Sequence, residues 1–155
     1  MQNAIDHKLK SMNIELPQSV MPVANYAPYT ISGNLVFLSG ALPMKDGKPQ
    51  DIGKVGKDFT IEQAQATARL CGIHLLSHLR AACAGDLGRV KKCVRLGIFV
   101  NSAPGFTDQS KVANGVSDLM VELFGEAGKH ARFAVGASEL PFGVAVEVDG
   151  MFVIE

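Results

Sequence analysis

Arg132 and Glu147 stand out as chemistry-bearing residues because each places a charge inside a strand-like run of apolar or small residues: Ala131-Arg-Phe-Ala-Val135 and Val144-Ala-Val-Glu-Val148. A charge is costly to bury unless it is paired or hydrogen-bonded. Three arrangements meet that condition: the two neutralise each other, they stand in water at a strand edge, or they face a ligand. The turn residues Pro141-Phe-Gly143 are read here as joining neighbouring antiparallel strands, which would set Arg132 nearly opposite Glu147. A shift of one residue would put them on different faces. Spacing by itself therefore favours a structural ion pair. The ligand reading stays open at this point: a guanidinium is charged at every relevant pH, and its planar fork is able to match a carboxylate with two parallel hydrogen bonds.

Other residues of chemical interest carry less. His74 and His78 have a metal-compatible i, i+4 spacing, but His-Leu-Leu-Ser-His lacks the glutamate of H-E-x-x-H, so they read as ordinary helix residues. His130 precedes Arg132 by two positions, which leaves open a place at a pocket mouth or a surface or capping role. The run 47–55 lacks both the glycine spacing and the hydroxyl residue of a phosphate loop. Lys45, Lys48, Lys54 and Lys57 are balanced by Asp46, Asp51 and Asp58 in a solvated loop. Cys71, Cys83 and Cys93 lie in apolar surroundings without C-x-x-C spacing, so they are expected as reduced core thiols.

The elements that must position Arg132 and Glu147 follow from periodicity. A short amphipathic helix is expected over 3–12, then an irregular connector over 16–28. Tyr29-Thr-Ile-Ser and Leu35-Val-Phe-Leu-Ser39 flank Gly33-Asn34 as a hairpin ending at Gly40. The stretch 43–58 reads as a loop with room for one short strand. Thr60 and Gln63 form a capping box for a helix reaching Gly85, weakened by Gly72. A strand over 90–100, a helix from Thr107 to Gly128, and strands over 131–138 and 144–154 complete the order β-β-α-β-α-β-β. Right-handed crossovers place both helices on one face of an α+β sheet. The other face is also apolar, so self-association is expected to cover it and to create clefts between subunits.

The chain has 155 residues, enough for one domain with a real core. Its 15 basic side chains balance 15 acidic ones, which gives no field to gather nucleic acid or anionic lipid. The first residues lack an apolar signal core, and no apolar run approaches the roughly 18 residues of a membrane span. A soluble, cytoplasmic protein without nucleic-acid or membrane partners is the expectation.

Four segments, in order, resemble the reactive intermediate deaminase (RidA) family, formerly the L-PSP endoribonucleases: Ala27-Pro28-Tyr29; Leu38-Ser-Gly-Ala-Leu-Pro43; Gly85-Asp-Leu-Gly-Arg-Val-Lys-Lys92; and Ala131-Arg-Phe-Ala-Val135 through Val146-Glu-Val-Asp149. The resemblance covers 26–155, with 1–25 as an N-terminal extension similar to that of a longer subgroup. It implies a chorismate mutase-like fold with two helices on one face of the sheet, assembled as a homotrimer with pockets between subunits. It further implies hydrolysis of reactive 2-imino acids or their enamine tautomers to 2-oxo acids and ammonia, with no cofactor and no metal. Arg132 would hold the substrate carboxylate, free of partners until the acid arrives, and Glu147 would orient or activate water. Tyr29, Gly40, Asn114 and Ala134 would line the substrate. Ala134 replaces a frequent family cysteine, and Ala41 a frequent glutamine. A non-catalytic module that binds a small carboxylate or a partner protein is the alternative. Ribonuclease activity is disfavoured by the balanced charge and the lack of an aromatic-plus-basic stripe.

Overall fold

Two strand–helix–strand crossovers leave a gap in a sheet, and the last strand of the chain fills it. The computed structural model describes residues 3–20 and 24–155. Strands β1 (Tyr29–Ser32) and β2 (Leu35–Ala41) form the expected hairpin, with Gly33 at φ 60° in the turn. The loop that follows holds two short strands rather than one, β3 (Met44–Lys45) and β4 (Lys48–Pro49). They close a small hairpin because Asp46 and Gly47 both take positive φ, as a tight two-residue turn requires.

After the helix α1 (Ala4–Ser11), the longer helices are α2 (Ile61–Ala82) and α3 (Gln109–Phe124). Both halves of the capping box form on α2: the Thr60 hydroxyl accepts from the Gln63 amide, and the Thr60 amide donates to Gln63 Oε1. Strands β5 (Val90–Asn101), β6 (Ala131–Ala137) and β7 (Val146–Ile154) complete the sheet in the order β1-β2-β7-β5-β6. Among the described strands only the neighbours β5 and β6 pair in parallel.

This order corrects one expectation. β6 and β7 do not form a hairpin: β5 lies between them, parallel to β6 and antiparallel to β7. The helical crossovers β2-α2-β5 and β5-α3-β6 fix parallel directions on one side, and an antiparallel β7 then satisfies the facing backbone edges of β2 and β5 together. The burial patterns agree. On β7 every second residue from Val146 to Ile154 is buried, as in an interior strand, whereas β6 has exposed residues on both faces.

The core lies between the sheet and α2 and α3. Leu75, Leu76 and Leu79 of α2, Val112, Val116 and Leu119 of α3, and Leu96, Ile98, Val148 and Phe152 of the sheet are fully buried. Each large side chain of this kind contributes roughly 1.5–3 kcal/mol. Cys71, Cys83 and Cys93 are free and buried in the same core. Burial pushes all three thiols up, Cys93 to about 12, so they stay protonated and unreactive.

The two helices touch through glycines. A Cβ at Gly72 would stand 2.8 Å from Val116 Cγ2, and one at Gly115 would overlap the Gln65 carbonyl oxygen. The Gly115→Ala variant is therefore expected to unfold at lower temperature. Helix propensity returns about 1 kcal/mol, while overpacking against a backbone atom costs about 3 kcal/mol. A net loss near 2 kcal/mol corresponds to roughly 5 °C in a chain of this size, readable by calorimetry.

The N-terminal segment packs on this unit. Leu9 of α1 joins the core, Asp6 faces Arg80 at 3.9 Å, and Ser77 Oγ donates to the Pro17 carbonyl. The connector is irregular where it is described; its residues 21–23 lie outside the described set. The sheet face opposite the helices carries no helix among the described residues. Phe99 and Phe133 meet there edge to face at 5.3 Å, the Arg95 guanidinium lies 4.5 Å from the Phe133 ring, and Phe37 and Val135 are exposed.

Candidate functional site

Arg132 sits on the edge strand β6 in register with Leu96, which is buried under the helices. Its side chain therefore leaves the sheet on the helix side and meets α3. There Ser110, Asn114 and Ser117, spaced i, i+4, i+7, form a polar stripe beside the apolar one. Arg132 Nη1 donates to Asn114 Oδ1 at 3.0 Å and to Ser117 Oγ at 2.9 Å, and Nη2 donates to the Ser110 carbonyl at 3.1 Å. Because a guanidinium only donates, the Asn114 amide oxygen must face it.

All three acceptors are neutral, and no carboxylate lies within ion-pair distance of Arg132 among the described residues. The expectation of a guanidinium without partners is thus corrected. It is held by its own chain through three hydrogen bonds, while its charge has no counter-charge and Nε–H has no acceptor among the described residues. Ala134, small and half-buried, follows on the same side in register with Ile98.

Glu147 is on the interior strand β7 in register with Phe99, one position out of phase with the buried Val146 and Val148, so it faces the open side of the sheet. It lies against Gly40, where a Cβ would overlap Glu147 Oε1. Glycine at 40 is what admits the carboxylate. Asp149 follows on the same face, and its Oδ1 is buried with no hydrogen-bond partner among the described residues. Burial, and secondarily the Asp149 charge, raise the Glu147 carboxyl above its ordinary value.

Arg132 and Glu147 therefore do not pair within the chain. They stand on opposite faces, two strands apart laterally and three positions apart along β5, or about 14 Å between backbones. Tyr29 pairs with Leu38 on the far edge strand β1, half-buried against the core. Four strand spacings, roughly 19 Å, separate β1 from β6. One chain thus brings together Arg132, Asn114 and Ala134 at one edge and Glu147 with Gly40 on the open face, and leaves Tyr29 apart from both.

A cavity of about 480 Å³ opens beside Gly40, between the connector and α2, with Tyr26, Ser39, His74 and His78 among its lining residues. Its two histidines have protein partners. His74 Nε2 lies 2.9 Å from the Met44 carbonyl, and His78 Nδ1 lies 2.6 Å from Ser19 Oγ. Burial, and secondarily the nearby His74, lower the His78 pKa. No group of three His, Cys, Asp or Glu residues suited to a metal occurs among the described residues. No helix among them is long and apolar enough to cross a membrane.

Sequence reasoning did not single out Ser110 and Ser117. The signal for Ser117 was its place one turn from Asn114 along α3, masked by the stronger apolar stripe of the same helix; Ser110 acts through its backbone carbonyl, which no residue type signals.

The fold and the chain have known relatives. The chain is 48% identical over 144 residues to Protein TCP17 of Trypanosoma cruzi, covering 92% of this chain and 89% of that protein. It is 25% identical over 142 residues to the 2-iminobutanoate/2-iminopropanoate deaminase of Dermatophagoides farinae, covering 92% and 95%. The crystal structure of Atu1372, a protein of unknown function from Agrobacterium tumefaciens, superposes with TM-score 0.89 at 43% identity, covering 97% of this chain and 91% of that one. Residues 6–149 match the family model described as "YjgF/chorismate_mutase-like, putative endoribonuclease". With that match, the mixed sheet and the helices on one of its faces, the chain belongs to the YjgF/chorismate mutase-like family, in which the RidA and L-PSP proteins are grouped.

Proposed function

We propose that this protein hydrolyses 2-imino acids and their enamine tautomers to 2-oxo acids and ammonia, in pockets formed where the β6 edge of one copy meets the open sheet face of another in a homotrimer. The observation that carries the reading is the Arg132 guanidinium, whose charge meets only neutral acceptors while Nε–H is left for an incoming acid. A chain relative named as a deaminase of 2-iminobutanoate and 2-iminopropanoate supplies the substrate class. The separation of Arg132 from Glu147 and Gly40 within one chain supports the composite site, because a small imino acid spans only a few ångströms.

In this site Arg132 of one copy fixes the substrate carboxylate, and Glu147 of the other stands near the imine carbon. The iminium is already electrophilic. Glu147 takes a proton from water as the water oxygen bonds to that carbon, giving a carbinolamine. The proton passes to nitrogen; Glu147 then takes the hydroxyl proton as the C=O bond forms and the C–N bond breaks toward nitrogen, and the 2-oxo acid and ammonia leave, the ammonia taking up that last proton as ammonium. A carboxyl held above its ordinary value by burial, and secondarily by the Asp149 charge, is the better base for taking the water proton, and in its protonated form it can also protonate the enamine carbon. Positioning and general-base help supply roughly 100-fold or more over solution.

A second reading is favoured by one feature: binding of a carboxylate needs Arg132 alone, whereas turnover needs a second copy. The test is ammonia release from imino acids generated in situ by an amino-acid oxidase, with and without the protein. Faster release supports the enzyme. Binding of 2-oxobutanoate with no acceleration leaves a carboxylate-binding module in its place.

A further inference from the structure

We propose that His130 is a positioning residue: through the Ser117 hydroxyl it fixes the direction in which the Arg132 guanidinium is presented. For substrate binding the inference rests on the reading above, but its structural content stands apart from it. His130 Nδ1 lies 2.6 Å from the Gly128 carbonyl, and His130 Nε2 lies 2.9 Å from Ser117 Oγ. Ser117 Oγ in turn accepts from Arg132 Nη1 at 2.9 Å.

These contacts fix the Nδ1 proton and, for a neutral ring, the order of the other bonds. A carbonyl oxygen cannot donate, so Nδ1 must carry the imidazole proton, and the neutral ring then offers Nε2 as an acceptor. The Ser117 hydroxyl proton goes to Nε2, which leaves the serine oxygen lone pairs for the guanidinium. The chain runs from Arg132 through Ser117 and His130 to the backbone, every donor meeting an acceptor. Successive bonds of this kind polarise one another.

Without the imidazole, the Ser117 hydroxyl has a competing acceptor on its own helix, the carbonyl four residues back at Ala113, a habit of serine within helices. Turned that way, it no longer aims its oxygen at Nη1. Asn114 and the Ser110 carbonyl would still hold the charge near α3, but with fewer constraints on rotation about Cζ–Nη1. Ser117 and His130 are half-buried while Arg132 is exposed, so the Ser117–His130 bond is the better shielded part of the link.

The structural test uses the ¹⁵N signals of the Arg132 Nη groups in the intact protein, assigned by their loss in Arg132→Lys. Rotation about Cζ–Nη is expected to be slow in the native protein and about tenfold faster in both His130→Ala and Ser117→Ala, as befits loss of one hydrogen bond to a charged group. His130→Gln, whose amide oxygen reaches the position of Nε2, is expected to restore slow rotation. The double variant His130→Ala/Ser117→Ala is expected to behave like either single one, because both cut the same chain. Unchanged rotation in His130→Ala, or additive effects in the double variant, would overturn the inference.

The kinetic arm reads substrate. KM for the imino acid is expected to rise about tenfold in His130→Ala, with kcat within about twofold and a melting temperature like that of the native protein. If the native protein neither binds 2-oxobutanoate nor speeds imine hydrolysis while rotation still loosens in His130→Ala, the functional reading fails and the positioning inference holds.

Discussion

Arg132→Lys is expected to lower kcat/KM for imine hydrolysis by about 100-fold, the equivalent of about 3 kcal/mol and of two lost charge-assisted hydrogen bonds, those of Nε–H and of the second Nη2 hydrogen. The charge is retained, so the loss must come from shape. In the native protein one plane of nitrogens serves Asn114, Ser117 and the Ser110 carbonyl and still presents Nε–H beyond them. An ammonium has three donors on a tetrahedral head, and those same acceptors would occupy them and turn the charge toward α3. Binding of 2-oxobutanoate, measured by calorimetry, is expected to weaken in parallel, because in the proposed site the same contact holds substrate and product. A lysine variant that kept the native rate would show that the guanidinium plays no part in turnover.

The charges were legible in the sequence, but their partners were not. Arg132 and Glu147 announced themselves by interrupting apolar strands, and local periodicity placed both on strands correctly. Which strands touch is decided elsewhere. The short turn Pro141-Phe-Gly143 reads locally as a hairpin, and Phe142 and Gly143 do take positive φ there. The chain nevertheless crosses β5, because the two helical crossovers have already set the positions that β7 must fill. That is a constraint of the whole sheet, and no window around the turn contains it.

Faces were harder still. A side-chain period of two makes the face depend on register, and register here is set by pairing with β5, where Arg132 meets Leu96 and Glu147 meets Phe99. Gly40 was found from the family pattern, but its physical reason, room for the Glu147 carboxylate, required the close approach of β2 and β7. The small hairpin β3–β4 was hidden because two-residue strands are shorter than any periodicity can reveal. Asn114 and Ser117 of α3 needed Arg132 in place before their side chains had a purpose, while Ser110 serves through its backbone carbonyl.

Glu147→Gln is expected to stabilise the protein at neutral pH while lowering the hydrolysis rate by about 100-fold, the typical contribution of a positioned general base. The folded carboxyl is raised because burial, and then the Asp149 charge, penalise its ionised form. In the unfolded chain the same group titrates at the ordinary carboxyl value. Its contribution to stability is therefore complete below that ordinary value and is lost as pH rises through the raised folded one. Glutamine, with similar shape and no charge, removes this dependence. Melting temperatures of variant and native protein should converge near pH 4 or below and separate in favour of the variant toward pH 7 and above.

Gly40→Ala tests the same carboxylate from the other side. Its methyl overlaps Glu147 Oε1, so the side chain must turn away, and activity should fall without the gain at neutral pH, since the ionised group remains. A Glu147→Gln protein that kept its rate would remove Glu147 from the chemistry. One that melted lower than the native protein at pH 7 would mean that the carboxylate has a stabilising partner. The expected combination, greater stability with lost turnover, is what a charge held in place for its chemistry produces, because such a residue opposes folding at the pH where it works.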